Sequence, residues 1–423
     1  MFYDKQPEVN QNNYKEMLKI VGQLSNLFSE SDCPYLAYRA HENIFCKYLE
    51  ADNLARTDCS ADAKKDGVGI GLKTWMGNDD QKVAEFGKLK KNYSNLTGLE
   101  LVKKIAEYRN ERIRVTKKLH GINQMIYHVV KRVPNMMQIL ECTFDYIDID
   151  AIRIISNRGN ENNTYFTDGR HTYHFSVSKN TLYMIFDDLE LLDSFEVKIM
   201  DDPYKFLMSA AEQILETNIE FDYYSKQGDV IEVCRSAMEK QVLSKPMLCL
   251  PLYSIRGADK EKFVAEKSGL NQWNAGGRIR DVNEIYIPYQ KADRQRDITF
   301  FPPRDTSFDL HLPDGTVIQA KVCQEAYKKM PQEQYDRLSS EEQKLEDDRR
   351  AEGKAIMSNP NKILGKWLLR DVFELEEGTI VTYEMLETFG VNSVIFTKNG
   401  ELDYSIDFAE IGTYEKFYGE EED

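Results

Sequence analysis

The chain has 423 residues, a formal net charge of -16 and 41% hydrophobic residues. This is the composition of a folded globular protein too long for one ordinary core, so two domains are expected. The acidic balance excludes a nonspecific nucleic-acid coat and leaves any DNA contact to local basic clusters. Seven cysteines without a C-x-x-C pair speak against a disulfide framework or a structural zinc site, and neither an export signal nor an apolar run of about 20 residues is visible. A cytoplasmic protein without membrane attachment is therefore expected.

In chain order, Met17, Leu18, Val21, Leu24 and Leu27 recur at helical spacing and predict an amphipathic opening helix over 14–27. Ser31, Asp32 and Pro34 announce a second helix that carries Glu42. The next stretch, Asp58 to Thr74, places Asp58, Asp62 and Asp66 ahead of a Gly-spaced apolar run that reads as a short buried strand ending on Lys73. Lys82 to Lys118 reads as helical and basic, eleven Lys/Arg against four Glu, about +7. Short β-like runs follow between Met137 and Met200, with Asp168-Gly169 as a hairpin turn, then a helix over 203–215.

A polar segment, Tyr224 to Gly228, precedes a domain boundary placed before Lys245, giving residues 1–240 and 246–423. The second part reads as all-β, with strands near 247–253, 284–289, 307–312, 316–323, 393–398 and 403–408 and two interrupting helices over 362–372 and 382–389. The charged stretch within 326–352 lacks an apolar face and reads as a solvated helical insertion. The acidic tail 419–423 reads as disordered.

Gly67, Gly69 and Gly71 before Lys73-Thr74 are not a phosphate-binding loop, because Leu72 stands where the loop requires glycine directly before lysine. A metal-dependent nuclease needs two or three carboxylates for Mg²⁺ and a lysine that activates water and stabilises the transition state. Asp62 and Lys73 suit these roles, and Glu42 and Glu85 can complete the ligand set. The plain alternative is a set of solvated loop carboxylates beside a strand-end lysine. No histidine pattern offers zinc binding, and none of the six histidines is followed two residues later by lysine.

Tyr38 to Phe45, Ala51 to Asp58, Gly69 to Thr74 and Gln81 to Phe86 together resemble the catalytic half of bacterial restriction endonucleases of the PD-(D/E)XK type. The resemblance implies an α/β (α+β) nuclease domain with Asp62 as metal ligand and Lys73 as catalytic lysine. The second carboxylate of such sites lies two residues before the lysine, where this chain has Gly71, and Glu85 is taken as its relocated replacement. Leu250 to Ser254, Glu266 to Asn271, Arg280 to Pro288, Phe300 to Pro303 and Gly353 to Pro360 resemble the C-terminal B3-like DNA-recognition domain of NgoFVII-type restriction endonucleases. That resemblance implies an open β-pseudobarrel whose two arms enter the major groove. The His-x-Lys of the phospholipase D-like nuclease found in those enzymes is missing here.

One arm maps to Gln272, Trp273, Asn274, Arg278, Arg280 and Asn283, the other to Lys354, Ser358, Asn359, Asn361, Lys362 and Lys366. Guanidinium, amide and hydroxyl groups of this mixture suit base-edge reading, while a bland Gly/Asn-rich loop is the competing interpretation. The expected protein is a sequence-specific type II restriction endonuclease that cleaves double-stranded DNA with Mg²⁺. It would act as a possible homodimer beside a cognate DNA methyltransferase of the same system. The competing expectation is a non-catalytic sequence- or modification-specific DNA-binding protein with a degenerate nuclease domain.

Overall fold

The computed structural model describes residues 1–54, 59–77, 80–160, 162–216, 245–257, 260–297, 299–327 and 330–419, without the side chains of 156–160, 210–216, 348 and 350. Asp58, the segment 224–228 and the tail beyond 419, all singled out above, lie outside these residues. Two compact units emerge, and they do not follow chain order. The first comprises 1–56, 61–85 and 123–244; the second comprises 57–60, 86–122 and 245–423. Residues 86–122, assigned by a division at 240 to the amino-terminal half, thus pack with the carboxyl-terminal part.

In the first unit, helices α1 (Glu8–Gln23) and α2 (Tyr38–Tyr48) cover a six-stranded sheet of order β1-β2-β3-β5-β6-β11. Its strands are β1 (Asp52–Asn53), β2 (Ala63–Lys65), β3 (Val68–Trp75), β5 (Gln124–Val133), β6 (Met136–Thr143) and β11 (Glu190–Glu196). Strands β2 and β3 form a tight hairpin turned by Asp66 and Gly67, both at positive φ. Strand β3 then runs parallel to β5 while the other pairs are antiparallel. Leu18, Phe45, Ile70, Leu72, Ile126, Val130 and Ile139 are among the side chains that fill the interface between the helices and this sheet. Ile70 and Leu72 face α2, so the period-2 alternation turns Gly71 and Lys73 to the opposite face.

A second, five-stranded antiparallel sheet has the order β4-β10-β9-β8-β7, from β4 (Gln81–Glu85), β7 (Arg153–Asn160), β8 (Asn163–Thr167), β9 (Thr172–Ser176) and β10 (Thr181–Ile185). The β8–β9 turn uses Gly169 at φ 87°, as the Asp168-Gly169 pair implied. Residues 81–85, expected in a helix, form an edge strand instead. Their short polar run has no helical apolar face, and pairing with β10 decides the outcome. The β5–β6 hairpin was not anticipated; Asn135 closes it at φ 56°, a conformation asparagine tolerates.

In the second unit a seven-stranded sheet has the order β12-β19-β20-β16-β17-β18-β15. The strands are β12 (Met247–Pro251), β15 (Ile287–Pro288), β16 (Ser307–His311), β17 (Val317–Glu325), β18 (Gly353–Ser358), β19 (Val391–Lys398) and β20 (Asp403–Glu410), with a separate β13 (Ser254–Arg256) and β14 (Glu261–Phe263) hairpin. The end strands β12 and β15 approach one another, so the sheet nearly closes on itself. Its interior is apolar and aromatic, including Leu250, Phe301, Phe308, Val322, Ile356, Phe396 and Tyr404. Helix α3 (Gly98–Leu119) contributes Val115 and Leu119 to that same core. The charged insertion is a surface helix, Ser340–Ala351, started by a capping box between Ser339 and Glu342. No helix among the described residues is long and apolar enough to cross a membrane.

Candidate nuclease centre and DNA interface

Helix α2 is anchored by a buried polar chain. The Tyr14 hydroxyl bridges His41 Nε2 at 2.8 Å and His128 Nε2 at 3.0 Å, and His128 Nδ1 lies 2.9 Å from Glu141. The Glu141 carboxylate in turn accepts the backbone N–H groups of Phe2 at 2.7 Å and Tyr3 at 3.1 Å. Burial, then the neighbouring His128 and Lys73, hold the His41 pKa well below the ordinary imidazole range. The next residue of the helix, Glu42, is thereby fixed at the edge of the core.

Glu42 is 7% exposed and accepts Arg39 Nη1 at 2.9 Å. Burial raises its pKa and the Asp62 carboxylate raises it further, while Arg39 and Lys73 act in the opposite sense. Asp62 precedes β2 in the hairpin: its N–H donates to Ile70 O at 2.8 Å and its Oδ2 accepts Leu72 N–H at 2.7 Å. The half-buried Cys46 thiol senses the same field, pushed up to about 12 by burial first and then by Glu42, Asp52 and Asp62. Glu42 therefore feels both the Asp62 carboxylate, which opposes its ionisation, and the Lys73 ammonium, which favours it. A divalent cation with hard oxygen ligands relieves that repulsion, so the donor chemistry of this pair fits Mg²⁺. Among the described residues, no group of three or more His, Cys, Asp or Glu side chains is placed to hold a metal ion.

Gly71 has a packing reason. A Cβ there would lie 2.8 Å and 2.9 Å from Tyr127 ring carbons and 3.2 Å from Phe144. These rings stack at 4.1 Å and 8°, so the space a carboxylate would need is filled. Gly71→Ala is expected to cost about 1–3 kcal/mol of stability through overpacking, read in chemical denaturation. Glu85 is on β4 of the second sheet, not on a helix, and its half-exposed carboxylate pairs with Lys82 at 2.5 Å. The structure thus separates Glu85 by sheet from the strand that carries Lys73.

In the second unit the two expected arms are tied together by one buried carboxylate. Glu284, 1% exposed, lies 2.5 Å from Arg278 Nη2 and 3.4 Å from Arg280 Nε, and accepts the Asn361 amide at 2.8 Å. Arg280 Nη1 also donates to the carbonyls of Ala275 at 2.6 Å and Gly276 at 2.9 Å, which shapes the loop. Asn283 Oδ1 accepts Arg370 Nε at 2.8 Å, and Arg370 donates further to Val282 O, Leu375 O and Glu376 O. Ser358 is buried, accepting Leu364 N–H at 2.9 Å and donating to Pro360 O at 2.9 Å.

Gln272 is buried, and Trp273 packs against the core with a buried indole N–H. Asn274 donates to Glu266 O at 3.0 Å. Burial thus takes Gln272 and Ser358 off the surface and half-buries Trp273, whereas Arg280, Asn283 and Asn361 hold the arms in shape.

The side chains left facing solvent are Arg278, Lys354, Asn359, Lys362 and Lys366. Lys362 follows the same cross-arm logic, 3.8 Å from Asp281. Ile279, at the tip of the first arm, is 98% exposed; between two arginines it gave no apolar period to read. The outer face of β16 and β17 adds Asp309 hydrogen-bonded to Gln319, and Lys321 paired with Asp305 at 2.9 Å. The Asn359 amide reaches Ser307 at 3.4 Å beside them. These strand residues were missed because alternation alone marks them only as solvent-facing.

The basic stretch 82–118 is largely spent inside the second unit. Arg114 binds Glu111 and donates to the carbonyls of Val372 and Phe373, Lys118 pairs with Glu374 at 2.7 Å, and the Arg112 guanidinium lies 4.7 Å from the Phe86 ring centroid.

No curated protein matches the chain. Residues 247–399 match a family model, the NgoFVII C-terminal B3-like DNA-binding domain, and this segment holds both linked arms and every strand of the nearly closed sheet except β20.

Proposed function

We propose that the chain is a sequence-specific type II restriction endonuclease that hydrolyses double-stranded DNA with Mg²⁺. The match of 247–399 to a restriction-enzyme DNA-binding domain carries this reading. The electrostatic coupling of Glu42 to Asp62 and Lys73 supports a catalytic centre in the first unit. Residues 1–240 would supply the PD-(D/E)XK-like nuclease and 246–423 the recognition domain. The order α2-β1-β2-β3, followed by a crossover to β5 parallel with β3, is compatible with that nuclease core.

In this reading Glu42 and Asp62 hold the Mg²⁺, with Glu85 the weaker ligand because it sits on the other sheet. When bound, Mg²⁺ supplies Lewis acidity toward a phosphodiester oxygen and a more acidic coordinated water. Lys73 places its ammonium against the charge that develops on the phosphate in the transition state. Asp62, fixed by the Leu72 N–H, keeps one carboxylate oxygen oriented. Arg278, Lys362 and Lys366 reach bases and phosphates from the two arms, and Asn359 offers an amide for adenine. Two copies of the chain would cut the two strands, and a cognate methyltransferase would protect the host sequence in the cytoplasm.

Two observations favour a second reading, a DNA-binding protein without cleavage activity: the filled space at Gly71 and the separate sheet of Glu85. A random-sequence duplex library, incubated with the protein and Mg²⁺ and sequenced at the fragment ends, separates the two. Fragments with one common end sequence are expected. Intact DNA combined with selective retention of one sequence in a binding assay establishes the second reading instead.

A further inference from the structure

The second unit holds a cavity of about 590 Å³ lined by no residue of either arm. It lies between the β13–β14 hairpin, the helix Tyr383–Phe389 and the turn Gly87–Asn92. Four lysines line it, Lys88, Lys91, Lys260 and Lys262, together with the rings of Phe263 and Tyr383. Like charges gathered at one cavity repel, and only part of that repulsion is answered by the protein. Lys262 pairs with Glu415 at 2.7 Å and Lys88 donates to Ile411 O. Lys260, held at φ 51° in the hairpin turn, has no ion-pair partner among the described residues.

Among the lining carboxylates, Glu261 is already bound to Arg256 by hydrogen bonds of 2.8 Å and 3.0 Å. Glu387 is 5% exposed, and its Oε2 is buried without a hydrogen bond, 3.4 Å from Lys91 Nζ. Burial raises its pKa more than Lys91 lowers it.

We infer that this cavity binds a small phosphate-bearing anion of nucleotide size. Lysine ammonium groups act as point charges for phosphate oxygens, and a volume of about 590 Å³ is that of a small-ligand site. The Phe263 and Tyr383 rings furnish an apolar wall for a nucleoside. The inference stands on this geometry and does not depend on nuclease activity.

The full chain, titrated with inorganic pyrophosphate and separately with ATP in divalent-free buffer, tests it by calorimetry and thermal unfolding. Saturable binding of both probes is expected, weakened at least tenfold in Lys260→Ala and in Lys91→Ala. Lys260 is solvent-facing, so the unliganded melting temperature of Lys260→Ala should be unchanged, whereas Lys91→Ala also removes the partner of the buried Glu387 and lowers it. Binding that is absent at millimolar pyrophosphate, or equal in wild type and variants, overturns the inference. So does weaker duplex-DNA binding by the variants without any pyrophosphate binding, which would assign the lysines to backbone phosphates.

Discussion

Lys73→Ala is expected to lower Mg²⁺-dependent cleavage of duplex DNA by about 10²–10³-fold or more, the usual cost of removing one positioned charge-stabilising group. Its ammonium is the cationic group that acts electrostatically on both Glu42 and His41, so no second lysine from β3 takes its place. Site-selective binding through the arms should stay within a factor of about two, since β3 belongs to the other compact unit. Lys73→Arg keeps the charge yet changes its shape and reach, and should recover only a small part of the rate. Cleavage measured at saturating enzyme separates these outcomes from binding. Full residual cleavage in Lys73→Ala would remove this centre from the mechanism.

The second large effect is expected at Glu284, the carboxylate that joins the arms. Glu284→Ala leaves Arg280, which is 12% exposed, and the Asn361 amide without their shared acceptor. Loss of one partner of a buried pair costs about 3–5 kcal/mol, discounted here because Arg278 is 53% exposed and can return to water. A destabilisation of about 3 kcal/mol in chemical denaturation is therefore expected. Glu284→Gln keeps the acceptor oxygen for Asn361 but loses the charge, so it should retain more stability while still weakening specific binding more than tenfold. That split follows because Arg278 is the exposed donor whose aim Glu284 sets. Unchanged specific binding in Glu284→Gln would show that the pose of Arg278 does not matter for recognition.

Much of the architecture could be read in residues. The Asp168-Gly169 turn, the helix at 203–216, the strands around 247–251, 307–311, 393–398 and 403–410, and the solvated insertion all carry local signals of turn chemistry or periodicity. Residues 81–85 do not, because an edge strand with no buried face resembles a helix start until its partner is known. The arms show the same divide. A stretch rich in Arg, Asn and Lys announces polar contacts, yet nothing local tells Arg278, which faces solvent, from Arg280, whose donors shape the loop itself.

By itself, the sequence pointed to an acidic, two-part chain, to a resemblance of its second part to a B3-like DNA-binding domain, and to Asp62, Glu85, Glu42 and Lys73 as candidate site residues. The charge, the division and the candidate carboxylates follow from composition and motif spacing, which are local, while the domain was carried by the resemblance. Only the tertiary structure decided that the space beside Gly71 is filled by the Tyr127–Phe144 stack, that Glu85 belongs to another sheet, and that helix α3 buries Val115 and Leu119 in the carboxyl-terminal core while Arg114 and Lys118 pair with that unit. Each of these depends on pairing or packing between residues far apart in the chain, where the energy of burial outweighs any preference written in a short segment.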